Sequence, residues 1–349
     1  MTTLAGRRGP AAFGLVTLAA LALIATACGG AQEAAPTTPT PSEAKIAPQV
    51  VTSELVVGPN RFAVGLVDEE AGAPVLGANV HFRFFKIEDG QSELQFEDDT
   101  EFVGFESFFI DDNTGEKVVT GDIGVYVSYV TFDAPGDWGV EVTGTVNGEN
   151  FGPLRPGFTV LEAGQTLTVG DPAPRSRQRI ASDVADISEI DSMSPSDPMH
   201  DITIADSIDV GKPVVVLFGT PAFCETRTCG PVMETVMLAL YDKYNDQAIF
   251  IHVEPYFLKE LREGAGLCAV PAFNLEFARQ GIGEGPGPCP QLSEEELAAV
   301  GESWNLTTEP IVFVIDRQGN IAAKFEAIVG PQEVESVLQQ TLASGGIGY

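Results

Sequence analysis

The chain has 349 residues, more than a single hydrophobic core usually serves, so we expect two domains and connecting tethers. Its 19 Lys and Arg residues stand against 50 Asp and Glu residues, which gives a formal net charge of -31 at pH 7. Charge of this sign repels nucleic acid and offers no attraction to anionic lipid, so we expect no nucleic-acid partner.

The first 27 residues have the pattern of an export signal. Two arginines precede an apolar run that is too short for an ordinary membrane span, and small residues follow it. Residues 25–28 (Ala-Thr-Ala-Cys) resemble the lipobox of bacterial lipoproteins, which implies a lipid anchor on Cys28 and a location on the extracytoplasmic face of the membrane. An ordinary signal peptide cleaved nearby is the alternative. Residues 28–48, rich in Ala, Pro, Thr and Ser, are expected to form a flexible tether.

Residues 49–163 predict an all-β domain. Apolar residues alternate with polar ones in short runs separated by Gly, Pro, Asn and Asp, which is the period of half-buried strands. About seven such strands suggest an immunoglobulin-like β-sandwich, a fold that does not by itself carry function. His81 stands among phenylalanines, and we expect a packed structural residue there rather than a metal ligand. The polar stretch 164–200 is expected to be a linker and N-terminal extension.

Residues 201–349 change to alternating strand and helix signals, which predicts an α/β domain. The order is that of a βαβ unit followed by a hairpin and a closing helix. The predicted elements are a strand over 213–218, a helix over about 230–244, strands over 248–253, 311–315 and 321–325, and a helix over about 331–343.

Apart from Cys28, the chain has four cysteines. An even number in an oxidising compartment indicates disulfides. Three pairings are open, and the pairs closest in the chain are Cys224 with Cys229 and Cys268 with Cys289. The second pair brackets an insertion rich in Gly and Pro, where a bridge would act as a structural staple that contributes about 3 kcal/mol.

Cys224 and Cys229 lie in the loop between the strand 213–218 and the helix that Gly230 and Pro231 open. Unpaired backbone N–H groups and the positive end of the helix dipole stabilise a thiolate at this position, and the thiolate is the nucleophile in disulfide exchange. We therefore expect a redox-active pair. Cys229, next to the first helical turn, is our candidate for the attacking thiol and Cys224 for the resolving one, although this order stays open.

The loop also resembles the active site of the thioredoxin superfamily. Its Cys-Gly-Pro sequence at 229–231 matches the first three residues of the family's Cys-Gly-Pro-Cys motif, whereas Val232 replaces the second cysteine. If the resemblance holds, Cys224 takes over as the resolving partner. The resemblance implies a thiol-disulfide oxidoreductase that acts on exported thiol or disulfide proteins without a metal or cofactor.

A second segment, residues 308–316, is similar to the part of the family that places a cis-proline beside the cysteines. In relatives the backbone before this proline binds the partner's extended chain. The resemblance therefore implies that Glu309 and Pro310, together with Pro231, contact the substrate.

Three alternatives stay open. A peroxiredoxin-like thiol peroxidase also uses a Cys-x4-Cys pair, but its Pro-x3-Thr-x2-Cys pattern is out of register here, and no Arg stands where Glu309 and Pro310 do. A Sco-like copper chaperone would bind Cu(I) through the two thiolates and a histidine, for which His252 is the candidate. In a non-catalytic binding module, Cys224 and Cys229 would form a structural disulfide. The substrate, the direction of electron transfer, the ligand of the sandwich and the oligomeric state do not follow from the sequence.

Overall fold

The computed structural model describes residues 45–281, 283–284 and 287–344. The predicted export signal, Cys28 and most of the predicted tether lie outside these residues. Within the described part of the chain, no helix is long and apolar enough to cross a membrane.

The N-terminal part of the described chain is all-β. Its first sheet has the strand order β1-β2-β7-β6 with β3 beside β2, and its second has the order β10-β8-β4-β5 with β9 beside β8. Neighbouring strands within each sheet are antiparallel. The strands are β1 (Ile46–Val50), β2 (Gly58–Asp68), β3 (Ala73–Pro74), β4 (Asn79–Glu88), β5 (Gln91–Asp99), β6 (Glu101–Ile110), β7 (Lys117–Phe132), β8 (Gly136–Val146), β9 (Glu149–Leu154) and β10 (Gly157–Val160).

The two sheets pack face to face through aromatic side chains. Phe62 on β2 lies edge to face with Phe82 on β4, with 5.6 Å between ring centroids, and Phe132 on β7 contacts Trp138 on β8 at 4.9 Å. Successive residues of a strand point to opposite faces, so His81, next to Phe82, lies on the outer face. Its side chain is 36 % exposed and pairs with carboxylates, instead of packing among the phenylalanines as the sequence suggests.

The C-terminal part alternates strands and helices. They are α1 (Ile204–Asp209), β11 (Val214–Phe218), α2 (Cys229–Val232), α3 (Ala239–Tyr244), β12 (Ile249–Val253), α4 (Leu258–Arg262), β13 (Leu267–Cys268), α5 (Leu275–Gln280), β14 (Gly283–Glu284), α6 (Glu294–Ala299), β15 (Ile311–Ile315), β16 (Ile321–Glu326) and α7 (Pro331–Ser344). A π-helical segment, Met233–Leu238, joins α2 to α3, so helical structure is continuous from Cys229 to Tyr244.

The central sheet has the order β12-β11-β15-β16. Strand β12 is parallel to β11, whereas β15 is antiparallel to both β11 and β16. This is the predicted βαβ unit followed by a hairpin and a closing helix. The short elements α1, α4, α5, α6, β13 and β14 are additions that the sequence pattern does not predict.

Strand β11 is buried on both faces, as its continuous apolar sequence requires. Val215 and Leu217 belong to the core that contains residues of α2 and α7. Val216 and Phe218 face the opposite core, where Trp304 packs 5.2 Å from Phe218 between ring centroids. The loop that carries the cysteines therefore leaves a strand whose position is fixed from both sides.

Several sets of contacts join the sandwich to the α/β part, and two of them bear on the cysteine loop and the last helix. In the first, Arg61 on β2 donates a hydrogen bond from Nε to Oε1 of Glu333 on α7 over 2.7 Å, and both side chains are only 7 % exposed. In the second, β6 lies against the cysteine loop, where the N–H of Ile110 donates to the carbonyl oxygen of Pro221 over 3.2 Å. The sandwich is thus packed against the region that carries the predicted chemistry.

Candidate functional site

Cys224 and Cys229 form a disulfide at the start of α2. Their Cα atoms are 6.0 Å apart, within the range that a disulfide can join. Helix α2 begins at Cys229 itself, so the pair lies at the helix N-terminus as predicted. Both cysteines are 0 % exposed. Cys268 and Cys289 form the second predicted disulfide.

The two sulfur atoms of the first disulfide have different surroundings. The Sγ atom of Cys224 accepts a hydrogen bond from the backbone N–H of Cys229 over 3.3 Å. The hydroxyl of Thr226 lies 3.2 Å from the same sulfur, and Thr226 in turn bonds to Thr228 over 2.7 Å. The N–H at the helix start therefore points at Cys224, the residue on which a thiolate would be stabilised.

The Sγ atom of Cys229 instead lies 3.6 Å from Oε2 of Glu309. Glu309 precedes Pro310 through a cis peptide bond, which confirms the predicted cis-proline. Burial and then the neighbouring carboxyl of Glu254 raise the pKa of Glu309 well above its ordinary value, although a hydrogen bond from the backbone of Thr220 lowers it. Glu309 can therefore hold a proton next to Cys229 at pH values where an exposed carboxyl is ionised.

A cavity of about 330 Å³ reaches the disulfide on the side of Cys224. Its walls come from the cysteine loop, from the segment that follows β12, from the insertion with the second disulfide, and from the residues that precede the cis-proline. The lining residues are Cys224, Glu225, Thr226, Tyr256, Leu267, Ala269, Phe273, Phe277, Thr307, Thr308 and Glu309.

The sandwich covers another side of the same loop. A Cβ atom added to Gly230 would lie 2.7 Å from the ring of Phe108 and 3.1 Å from its carbonyl oxygen, so only glycine allows this approach. Ser107 donates a hydrogen bond to the carbonyl oxygen of Arg227 over 2.9 Å, and the Arg227 guanidinium lies 4.2 Å from the ring centroid of Phe109. Strand β6 thus holds both the loop and the first turn of α2.

The structure brings Cys224, Cys229 and Glu309 together, with one candidate ligand atom from each within 4.8 Å of the others. Pro310 directly follows Glu309. Pro231, which the resemblance also assigns to substrate contact, is buried in α2. Strand β6 packs on the neighbouring Gly230, and the substrate contact of Pro231 stays a prediction.

His252, the candidate copper ligand, is grouped with Asp197 and Gly219 rather than with the cysteines. Its Nδ1 lies 2.7 Å from Oδ2 of Asp197, and its Nε2 lies 2.8 Å from the carbonyl oxygen of Gly219. Burial lowers the pKa of His252, but the carboxylate of Asp197 outweighs it and raises the pKa to about 10. Both ring nitrogens are therefore engaged away from the disulfide.

Two polar residues near the disulfide, Glu254 and Tyr256, are not predicted from the sequence, nor is the carboxyl of Glu309 as a proton carrier. A signal for two of them was present. Glu254 and Tyr256 directly follow β12, which is parallel to β11, and the ends of parallel strands from which functional loops leave lie at one edge of the sheet. Polar residues after β12 are therefore expected near the cysteine loop that follows β11.

No family model and no curated protein matches the chain. Among solved structures, the chain is similar to the solution structure of a candidate protein disulfide isomerase from Bacteroides thetaiotaomicron, with 18 % identity, coverage of 50 % of this chain and 87 % of that one, and a TM-score of 0.27. It is also similar to the crystal structure of a thiol:disulfide interchange protein of the thioredoxin family from Chlorobium tepidum TLS, with 17 % identity, coverage of 50 % and 97 %, and a TM-score of 0.27.

Proposed function

We propose that the chain is a thiol-disulfide oxidoreductase, anchored through a lipid on Cys28 outside the cytoplasm, that exchanges disulfides with exported proteins. One observation carries the proposal: a disulfide at a helix N-terminus lies beside a half-buried carboxyl that can hold a proton. The cavity at Cys224 supports it, because a partner's sulfur needs a route to the bond. The lipobox-like sequence supports the location.

The hydrogen bonds favour Cys224 as the attacking thiol and Cys229 as the resolving one, the reverse of the order expected from the sequence. Cys224 accepts the helix N-terminal N–H and lines the cavity, which are the two properties that a nucleophile needs. The carboxyl of Glu309 lies close enough to Cys229 to exchange a proton with its thiol.

Each step of the proposed reaction is a thiolate attack on a disulfide. When the enzyme is reduced, the Cys224 thiolate attacks a substrate disulfide, one substrate sulfur leaves as a thiolate, and a mixed disulfide forms. Once Glu309 has released its own proton to solvent, its carboxylate takes the proton of Cys229, and the Cys229 thiolate attacks Cys224, which releases the second substrate thiolate and restores the Cys224–Cys229 bond. The substrate gains two electrons that the enzyme loses, and the reverse sequence oxidises a substrate dithiol.

We further propose that the N-terminal sandwich is immunoglobulin-like. If β1, β2, β4, β5, β6, β7, β8 and β10 are named A, B, C, C′, D, E, F and G, the observed orders are A-B-E-D and G-F-C-C′. These orders support the proposal, because immunoglobulin-type domains place A, B, E and D in one sheet and C, F and G in the other. Its contacts with the cysteine loop suggest that it controls partner access.

A redox titration of the protein tests the function. The states of Cys224 and Cys229 are followed by thiol alkylation and mass spectrometry in glutathione buffers of graded potential. We expect this pair to reduce reversibly near or above about -270 mV while Cys268–Cys289 stays oxidised.

The buried state of the cysteines favours a second candidate, a binding module in which the bond is structural. Both cysteines are 0 % exposed, and β6 packs on their loop. A pair that resists reduction below about -300 mV would support this candidate and contradict the oxidoreductase.

A further inference from the structure

A buried cluster of two carboxylates and two imidazoles lies next to Gly219, the first residue after β11. Asp191, Asp197 and His200 come from a segment without helix or strand, whereas His252 lies on β12. Each of the four side chains is at most 4 % exposed. One candidate ligand atom from each lies within 4.8 Å of all the others.

Three of these side chains each have one oxygen or nitrogen, here called the outer atom, that is hydrogen-bonded to the backbone. Oδ1 of Asp191 and Oδ1 of Asp197 each accept a hydrogen bond from the N–H two residues later, over 2.7 and 2.9 Å. Nε2 of His252 lies 2.8 Å from the carbonyl oxygen of Gly219, which can only accept, so this nitrogen donates. Metal-bound histidines almost always donate their other ring N–H to such a carbonyl or carboxylate, and ligating carboxylates are likewise hydrogen-bonded.

The remaining oxygen or nitrogen atom that each side chain offers, here called the inner atom, lies close to the others. Nδ1 of His252 lies 2.7 Å and Nε2 of His200 lies 3.1 Å from the same oxygen, Oδ2 of Asp197. The same nitrogen of His200 lies 3.6 Å from Oδ2 of Asp191, which also accepts the backbone N–H of Asp197 over 2.9 Å. With hydrogen bonds alone, two imidazoles share one carboxylate oxygen, and His252 carries protons on both nitrogens. A divalent cation at the centre satisfies all four inner atoms at once and balances the two carboxylates.

We propose that the protein binds one zinc ion through Asp191 Oδ2, Asp197 Oδ2, His200 Nε2 and His252 Nδ1. Imidazole ligands favour zinc over calcium or magnesium, and four protein ligands without an open position are typical of structural zinc sites. A separate cavity of about 400 Å³, lined in part by His200 and His252, gives the ion a route of entry. The ion fixes the irregular segment 191–200 to β12, and Gly219 with it.

Zinc titration of the chelator-treated full chain tests the site. Both disulfides are kept oxidised, so that thiolates do not compete for the metal. We expect one equivalent of zinc to bind at micromolar concentration and to raise the unfolding temperature. His200→Gln should lose both effects. His81→Gln is the matched control, because His81 also lies between carboxylates but on the surface of the sandwich, and it should keep both effects.

A spectroscopic measurement keeps the test decisive if His200→Gln fails to fold. Co²⁺ added to the oxidised wild-type protein should give the intense visible bands of a four-coordinate site without thiolate charge-transfer bands. The zinc site is overturned if no metal binds at micromolar concentration, if Co²⁺ shows only weak six-coordinate bands, or if His200→Gln folds and binds zinc as the wild type does. Its failure leaves the redox titration of Cys224 and Cys229 unaffected, so the two proposals are tested separately.

Discussion

At the scale of single residues, the two cysteines of the reactive pair differ in their hydrogen-bond partners, and this difference predicts which one attacks. Cys229→Ser leaves Cys224 with the N–H of the helix start, so it should accumulate mixed disulfides with a substrate. Cys224→Ser should trap far fewer, because its remaining thiol lies against Glu309. Non-reducing electrophoresis and mass spectrometry after incubation with a disulfide-containing protein measure the adducts. The opposite result would show that Cys229 is the attacking thiol, as predicted from the sequence.

The half-buried carboxyl of Glu309 should make stability depend on pH. Burial raises its pKa in the folded protein above the ordinary value of 4.5. At pH values between the unfolded and the folded pKa, the unfolded chain has lost the proton while the folded protein keeps it. The free energy of unfolding therefore falls as pH rises through this window. Glu309→Gln removes this loss, and its free energy of unfolding should exceed that of the wild type by a margin that grows with pH.

Urea unfolding over a pH series measures this margin, and disulfide exchange measures the catalytic cost. Glu309→Gln should exchange about 100-fold more slowly, because an amide cannot take the proton of Cys229. Glu225→Gln is the control, since Glu225 lines the same cavity but is exposed. A margin that does not change with pH would show that Glu309 is ionised in the folded protein.

At the scale of elements, the contact between β6 and α2 should control access to the disulfide. Gly230→Ala places a methyl group against the ring and carbonyl of Phe108, so β6 must move away. We expect the reduced cysteines of this variant to be alkylated faster than those of the wild type. Because Phe108→Ala removes the ring, the double variant should recover part of the lost stability, which a double-mutant cycle measures.

Gly139→Ala is the matched control for this experiment. Gly139 also lies in the sandwich, but a Cβ atom there meets its neighbours at 3.5 Å or more, an ordinary contact. Equal alkylation rates in Gly230→Ala and the control would show that β6 does not limit access.

Some elements of the α/β part can be predicted from the sequence, and others cannot. The strands β11 and β15 are continuous apolar runs, and β12 departs from one only at His252, so the bounds of all three are predicted to within a residue. The short elements between β12 and β15 contain no such apolar run. The Cys268–Cys289 bridge and the packing of Trp304 on Phe218 hold this region instead. Their stability comes from tertiary contacts, which periodicity does not detect.

Some residues of the candidate site are likewise predictable from the sequence, and others are not. Its cysteines and cis-proline follow from two short motifs. The approach of Phe108 to Gly230 joins residues more than a hundred positions apart, and nothing in either segment signals the other. The cluster around His252 is similar, since the irregular segment that supplies Asp197 and His200 has no recognisable motif.

At the scale of the whole molecule, one buried ion pair ties the sandwich to the last helix. Arg61 bonds through Nε to Glu333 and through Nη2 to the carbonyl oxygen of Ile328, over 2.7 and 2.8 Å. The hydroxyl of Tyr129 donates to the same carboxylate over 2.5 Å. Burial lowers the pKa of Arg61, but the charge of Glu333 outweighs it and raises the pKa, so the guanidinium stays charged.

Removing one partner of this pair should therefore destabilise the protein, because the other charge is left buried. We expect Arg61→Ala to lower the free energy of unfolding by about 3 kcal/mol. Arg155→Ala is the control, since that side chain is 70 % exposed although it also pairs with a glutamate, and it should cost less than about 1 kcal/mol. Calorimetry and urea unfolding give both values.

The double variant Arg61→Ala/Glu333→Ala separates the cost of an orphaned charge from the strength of the pair. Without either charge it should be more stable than the sum of the single variants predicts. The recovery should be incomplete, because Glu333 also accepts the N–H of Gly330 just before α7 over 2.8 Å. If Arg61→Ala costs no more than Arg155→Ala, the ion pair does not hold the sandwich, and the packing of β6 on the cysteine loop and bonds such as that between Asp112 and Arg262 would have to keep the two parts together.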